Sequence, residues 1–222
     1  MRFLRTPGRI SRLAAAALAA ALALAAAGCA PVDSPSPLTQ APGDTRQQLA
    51  QLTVAKAGSM RGYSRERFPH WRETGRNCNV RDEVLRRDGT GIKLSGCNVV
   101  GGSWLSLYDN RTFTDPQSLD VDHMVPLANA WRSGAAGWTE RQREDFANDL
   151  DRPQLRAVSQ TANRAKGDQD PSQWKPPNRR YWCRYAQDWI VVKLHWRLTI
   201  TSTEKAALTK MLETCEWPTK SA

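Results

Sequence analysis

Histidine is scarce in this chain: His70, His123 and His195 are the three in 222 residues. Chemistry that needs an imidazole working near neutral pH has few places to sit. Cysteine is sparse as well, five in all, and no two stand in a C-x-x-C spacing, which argues against a cysteine-ligated metal site. No internal repeat is evident. The one long apolar run, residues 13–27, is too short to cross a bilayer comfortably as a mature helix. Acidic residues are outnumbered, 22 against 32 basic ones, which favours anionic partners by electrostatic steering rather than by fold.

What is present begins with an export signal. Arg2, Arg5, Arg9 and Arg12 precede the Ala/Leu run, so residues 1–28 read as a signal peptide. Ala26-Ala27-Gly28-Cys29 resembles the lipobox of bacterial lipoproteins, with Cys29 the lipidated residue and a lipid anchor holding the protein at the outer face of the cell membrane. Secretion with an unmodified Cys29 is the alternative. Removing the signal takes four basic residues and no acid, so 28 basic residues face 22 acidic ones and the net charge falls from +10 to +6. Residues 29–45, rich in Pro and Ser, read as a linker. Residues 46–222 suit a single domain with chain enough for a real core, and a monomer is expected.

Four cysteines remain after Cys29, an even number that in an exported chain suggests two disulfides with three pairings open. Trp182, Tyr185, Trp189, Val192 and Trp196 recur at steps of three and four, so residues 178–196 read as an amphipathic helix. Thr201 and Glu204 form a capping box opening a second helix. A turn centred near Thr199 makes the two antiparallel and brings Cys183 to Cys215. Cys78 is then left to pair with Cys97.

Upstream, residues 79–87 read as a short helix stopped by Asp88-Gly89. Residues 93–108 read as a hairpin turning at Gly101-Gly102. Residues 118–122 form the next strand, 127–131 and 139–150 are helical, 155–158 form a strand, and 160–166 begin another helix. His70, beside Trp71, reads as a packed or surface imidazole rather than a ligand. His195 reads as structural.

The strand ending Asp120-Val121-Asp122-His123 carries the chemistry. A carboxylate suits a hard cation, a sparse site leaves room for phosphate oxygens, and a neutral imidazole is a natural base for water. Asp120-Val121-Asp122-His123-Met124-Val125-Pro126, followed by Asn163-Arg164-Ala165-Lys166-Gly167-Asp168, resembles the HNH, or ββα-metal, endonucleases. Phe68-Pro69-His70-Trp71, Trp131-Arg132-Ser133-Gly134 and Tyr181-Trp182-Cys183 extend the likeness. The wider context is similar to exported HNH proteins related to the C-terminal nuclease domain of GmrSD restriction enzymes.

The resemblance implies an α+β fold: a ββα-metal (HNH) core with a preceding β-hairpin and a C-terminal helical hairpin. It implies a divalent-metal-dependent endonuclease hydrolysing DNA with little sequence specificity. Asp122 and Asn163 would hold Mg²⁺ or Mn²⁺, and His123 would be the general base. Gln154 stands where the family has an Asn that pins the loop behind the His, and Asp120 has a supporting place beside Asp122. Arg164, Lys166, Lys175, Arg179 and Arg180 are the expected nucleic-acid contacts, gripping phosphates without reading bases. An inactive nucleic-acid-binding lipoprotein of the same fold is one alternative. A nuclease toxin with a cognate inhibitor protein is another.

Overall fold

The computed structural model describes residues 42–75 and 77–215, so the signal, Cys29 and most of the linker lie outside the described residues. The elements begin with helix α1 (Pro42–Gln51), short strands β1 (Glu73–Gly75) and β2 (Cys78–Asn79), and helix α2 (Val80–Asp88). Strands β3 (Gly89–Ser95), β4 (Asn98–Ser106), β5 (Arg111–Phe113) and β6 (Leu119–His123) come next. Helices α3 (Leu127–Arg132) and α4 (Glu140–Ala147) lead to strand β7 (Leu155–Ser159), and helices α5 (Gln160–Lys166), α6 (Trp182–His195) and α7 (Ser202–Leu212) close the chain. The fold is mixed α+β with small antiparallel sheets, β1–β2, β3–β4–β5 and β6–β7.

Local chemistry explains most of these boundaries. Asn79 caps α2 by accepting from the Arg81 and Asp82 amides, and Asp82 returns a bond to the Asn79 amide. Thr139 with Gln142 and Thr201 with Glu204 do the same for α4 and α7. Two expectations are corrected. Helix α1 starts at Pro42, inside the stretch read as linker, and Thr45, Leu49 and Leu52 are buried. Proline at a helix start loses no hydrogen bond, so a Pro-rich composition does not preclude it. The hairpin turns at Gly96-Cys97 instead of Gly101-Gly102, because Gly96 has the left-handed φ of 61°. Gly102 stays in the strand to leave room for Trp104, whose Cη2 would lie 2.7 Å from an added Cβ.

Helix α6 organises the larger core. Tyr185, Ala186, Trp189, Ile190 and Val192 are buried on it and pack in one cluster with Leu49, Trp131, Leu208 and Met211. Each large side chain withdrawn from water contributes about 1.5–3 kcal/mol. Both disulfides form, Cys78 with Cys97 and Cys183 with Cys215, at Cα separations of 5.1 and 4.9 Å. The second closes a chain separation of 32 residues, for which loop entropy predicts about 3–4 kcal/mol. A Cys183→Ala/Cys215→Ala variant should therefore melt roughly 10 °C lower. An unchanged melting temperature would show that helix packing alone holds the pair.

Strands β6 and β7 sit between two interiors. Leu119, Val121, Leu155 and Ala157 pack with Val80, Val84, Leu85 and Trp104 in the second core cluster. Asp120, Asp122 and Val158 alternate to the other side, where Val158 joins Ala162 of α5 in the first cluster. The register pairs Asp122 with Arg156 and His123 with Leu155. Adjacent residues of β6 thus serve different sides of the sheet.

Candidate active site at the end of strand β6

His123 ends β6 and is 4% exposed. Its Nε2 donates to the Ala147 carbonyl at 3.0 Å; since that carbonyl can only accept, Nδ1 is left with its lone pair. Burial pushes the imidazole down to about 3, so the ring is neutral at any ordinary pH. Two aromatic neighbours flank it: the Trp71 ring at 5.8 Å, tilted 31°, and the His70 ring at 6.2 Å, edge-on at 84°. Sequence alone reads His70 as a packed or surface group and does not show its proximity to His123. The available signal is its pairing with Trp71 in a chain so poor in histidine.

Asp122 faces the other way. Lys166 Nζ donates to both its oxygens, at 2.8 and 2.7 Å, and to the His123 carbonyl at 2.7 Å. The Tyr108 hydroxyl adds a 2.5 Å bond to Oδ2. Burial pushes the carboxyl up and the ammonium down, and their mutual attraction opposes both shifts. The Lys166 side chain is wholly buried. Lys166 therefore does not present its charge to a nucleic acid, contrary to the expectation from sequence, because Asp122 draws it inward.

One face of α5 and its cap repeats this pattern. Ser159 Oγ donates to Asp109 at 2.5 Å, Asn163 Nδ2 to Asp120 at 2.9 Å, and Lys166 to Asp122. Positions four and three apart lie on one helix face, so the helix meets a row of three acids. Asn163 is therefore turned to Asp120, not to Asp122. The structure brings together Asp120 with Asn163 and Asp122 with Lys166, and leaves His123 on the opposite face of the sheet.

Gln154 is fully buried behind this strand end. Its Oε1 accepts from the Val125 amide at 3.1 Å, its Nε2 donates to the Val125 carbonyl at 3.0 Å, and its own carbonyl accepts from the Met124 amide at 2.7 Å. Gln154→Leu strands both Val125 groups, each worth about 1–3 kcal/mol when buried and unpaired. Urea unfolding should register a loss of about 2–4 kcal/mol; a loss near zero would mean that the loop is held by its backbone alone.

Of the remaining basic residues, Arg164, Arg179 and Arg180 are exposed. Lys175 and Arg179 lie over the Trp182 ring at 5.8 and 5.3 Å. His195 ends α6, exposed, edge-on to Trp196 at 5.3 Å. A cavity of about 290 Å³ opens elsewhere, lined by Asn129, Arg132, Ser133, Asp168 and Glu204 among others. Arg132 pairs there with Asp168 and Glu204 with the buried Lys193, while Asp170 accepts from Ser172, so it is a weaker candidate than the His123 centre.

Residues 81–211, more than half of the chain, match the family model described as GmrSD restriction endonucleases, C-terminal domain. The chain belongs to this family. An uncharacterized secreted protein of Arthroderma benhamiae is 51% identical over 187 residues, covering 84% of this chain and 91% of that one. No solved structure matches. The match to the GmrSD C-terminal domain spans β6, β7 and α5, with Asp120, Asp122, His123, Gln154 and Asn163; His70 and Trp71 precede it.

A nuclease domain of the GmrSD kind implies a divalent cation. The donor set drawn from sequence does not fit one as arranged here. Both Asp122 oxygens are taken by an ammonium that neutralises them, and the Asn163 side chain is held by Asp120 through Nδ2 instead of facing Asp122. Among the described residues no group of three or more His, Cys, Asp or Glu is placed to hold a metal.

Proposed function

We propose that this protein is an exported nuclease that hydrolyses phosphodiester bonds, with DNA as substrate and little sequence specificity. The observation that carries the reading is His123: an imidazole at the end of β6, one nitrogen fixed by Ala147 and the other free, inside a GmrSD nuclease-domain match. Antiparallel β6–β7 followed by α5 supports assignment of the ββα core to this region. Export is supported by the secreted relative and by two disulfides, which persist in oxidising compartments. Anchoring through Cys29 belongs to the same proposal.

In this reading the free Nδ1 of His123 takes a proton from the attacking water. Gln154 fixes the loop that follows the imidazole, while Lys166 ties the His123 carbonyl to α5. Exposed Arg164, Arg179 and Arg180, with Lys175, grip backbone phosphates, which positions a strand without reading it. The purified domain, incubated with plasmid and Mg²⁺ or Mn²⁺, should convert supercoiled DNA to nicked circles. Intact plasmid across several metals, with the domain folded, would overturn the proposal.

One observation favours a second reading, a nucleic-acid-binding scaffold without catalysis. Lys166 already neutralises the carboxylate from which a cation would be held. Salt-sensitive DNA binding without nicking would select it.

A further inference from the structure

The segment carrying His70 is built with more care than a surface loop requires. Trp71 has a φ of +63°, a conformation that bulky residues rarely adopt and that persists only where the surroundings impose it. The buried Asn148 side chain imposes it. Its Nδ2 donates to the Pro69 carbonyl at 2.8 Å and its Oδ1 accepts from the Arg72 amide at 2.9 Å, so one amide brackets His70 and Trp71 from both sides. Arg143 Nε holds the Arg67 carbonyl just upstream at 2.8 Å. The strained turn sets both rings against His123, with His70 and Trp71 partly exposed at the rim and His123 beneath them.

His70 Nδ1 donates to the Phe68 carbonyl at 2.8 Å. A carbonyl only accepts, so this nitrogen keeps its hydrogen and Nε2 is the one left for a ligand. Each of the two imidazoles is therefore tied to a backbone carbonyl through one nitrogen and has the other free, which is the pattern of groups oriented for proton transfer.

We propose that His70 is a second catalytic residue, the general acid for the leaving 3′ oxygen. This rests on the nuclease reading above. A polymer entering from solvent keeps its two arms at the rim, so the rim imidazole meets a bridging oxygen while the inner one meets water. His123 Nδ1 takes a proton from water as the water oxygen bonds to phosphorus. His70 enters this step as the imidazolium, with Nδ1–H on the Phe68 carbonyl and Nε2–H toward the substrate. The P–O3′ bond breaks, its electron pair goes to the 3′ oxygen, and that oxygen takes the Nε2 proton, leaving a neutral ring. The products are a 5′-phosphate and a 3′-hydroxyl, and the imidazoles exchange their protons with solvent before the next turnover.

The test compares two duplex oligonucleotides, one ordinary and one with sulfur replacing the bridging 3′ oxygen at a single linkage. A thiol leaves readily near its pKa of about 8.5 and needs no acid, whereas an alcohol does. His70→Gln and His70→Asn, with melting temperatures matching the wild type, should lose about 10²-fold or more at ordinary linkages. At the sulfur linkage they should stay within about threefold of wild type. Equal losses on both substrates, or none on either, would overturn the role of His70. Failure of the wild type on ordinary DNA would instead count against the nuclease reading itself.

Discussion

Lys166→Met should be strongly destabilising, at about 3–5 kcal/mol. The substitution leaves the Asp122 carboxylate buried with only the Tyr108 hydroxyl beside it, and also releases the His123 carbonyl. Thermal unfolding should move down by roughly 6–20 °C for a domain of this size. The loss carries a pH signature. Without the ammonium, burial holds the Asp122 folded pKa above its unfolded value, so protonation favours the fold and the deficit should shrink as pH falls. Adding Asp122→Leu should recover most of the stability, since a buried ion pair is often replaceable by apolar groups as a unit. A Lys166→Met protein as stable as wild type would show that the ammonium does not balance Asp122. The same experiment bears on chemistry, because a carboxylate freed of Lys166 is a better cation ligand than the one described.

His123→Ala should abolish plasmid nicking, a fall of about 10²–10⁴-fold for a lost general base. It should also change how the protein responds to acid. The folded imidazole titrates near 3 against 6.5 for the free group, so the unfolded chain binds the extra proton between those values. Stability is then complete above pH 6.5 and falls as pH drops toward 3, by up to about 4–5 kcal/mol from this group. The alanine variant lacks that component, and its stability curve should be flatter over the same window. Nicking that survives in a folded His123→Ala protein would remove this residue from the mechanism. An unchanged acid limb would show that the ring is not buried neutral in solution.

Much of the fold is legible in short stretches of sequence. Thr201 with Glu204 and Thr139 with Gln142 name helix starts because a cap is decided by residues three apart. The steps of Trp182, Tyr185, Trp189 and Val192 name a buried face for a similar reason. That face and the Thr201 cap are enough to set Cys183 opposite Cys215, the pairing the fold adopts. The region of the site is legible too, since Asp122-His123 and Asn163 lie in the family match and on the expected strand and helix. Its internal geometry is not. An alternating strand says which residues share a side, and here Asp120 and Asp122 share one while His123 takes the other.

What covers each side is a matter of topology. Lys166 looks like one more basic residue in a basic run, and only the packing of α5 on β6 turns it inward to Asp122. His70 stands 53 positions before His123 in the chain, and tertiary contacts from Asn148 and Arg143 hold the turn that brings the two rings together. Gln154 is a methylene longer than the Asn expected in its place, yet its two amide atoms reach both sides of Val125. By itself, then, the sequence determined the caps, the helix faces, the disulfide partners and the family, because each depends on neighbours along the chain. Only the tertiary structure decided which carboxylate is neutralised, which imidazole has a companion and which cation is hidden, because those depend on what the fold lays over each side of a strand.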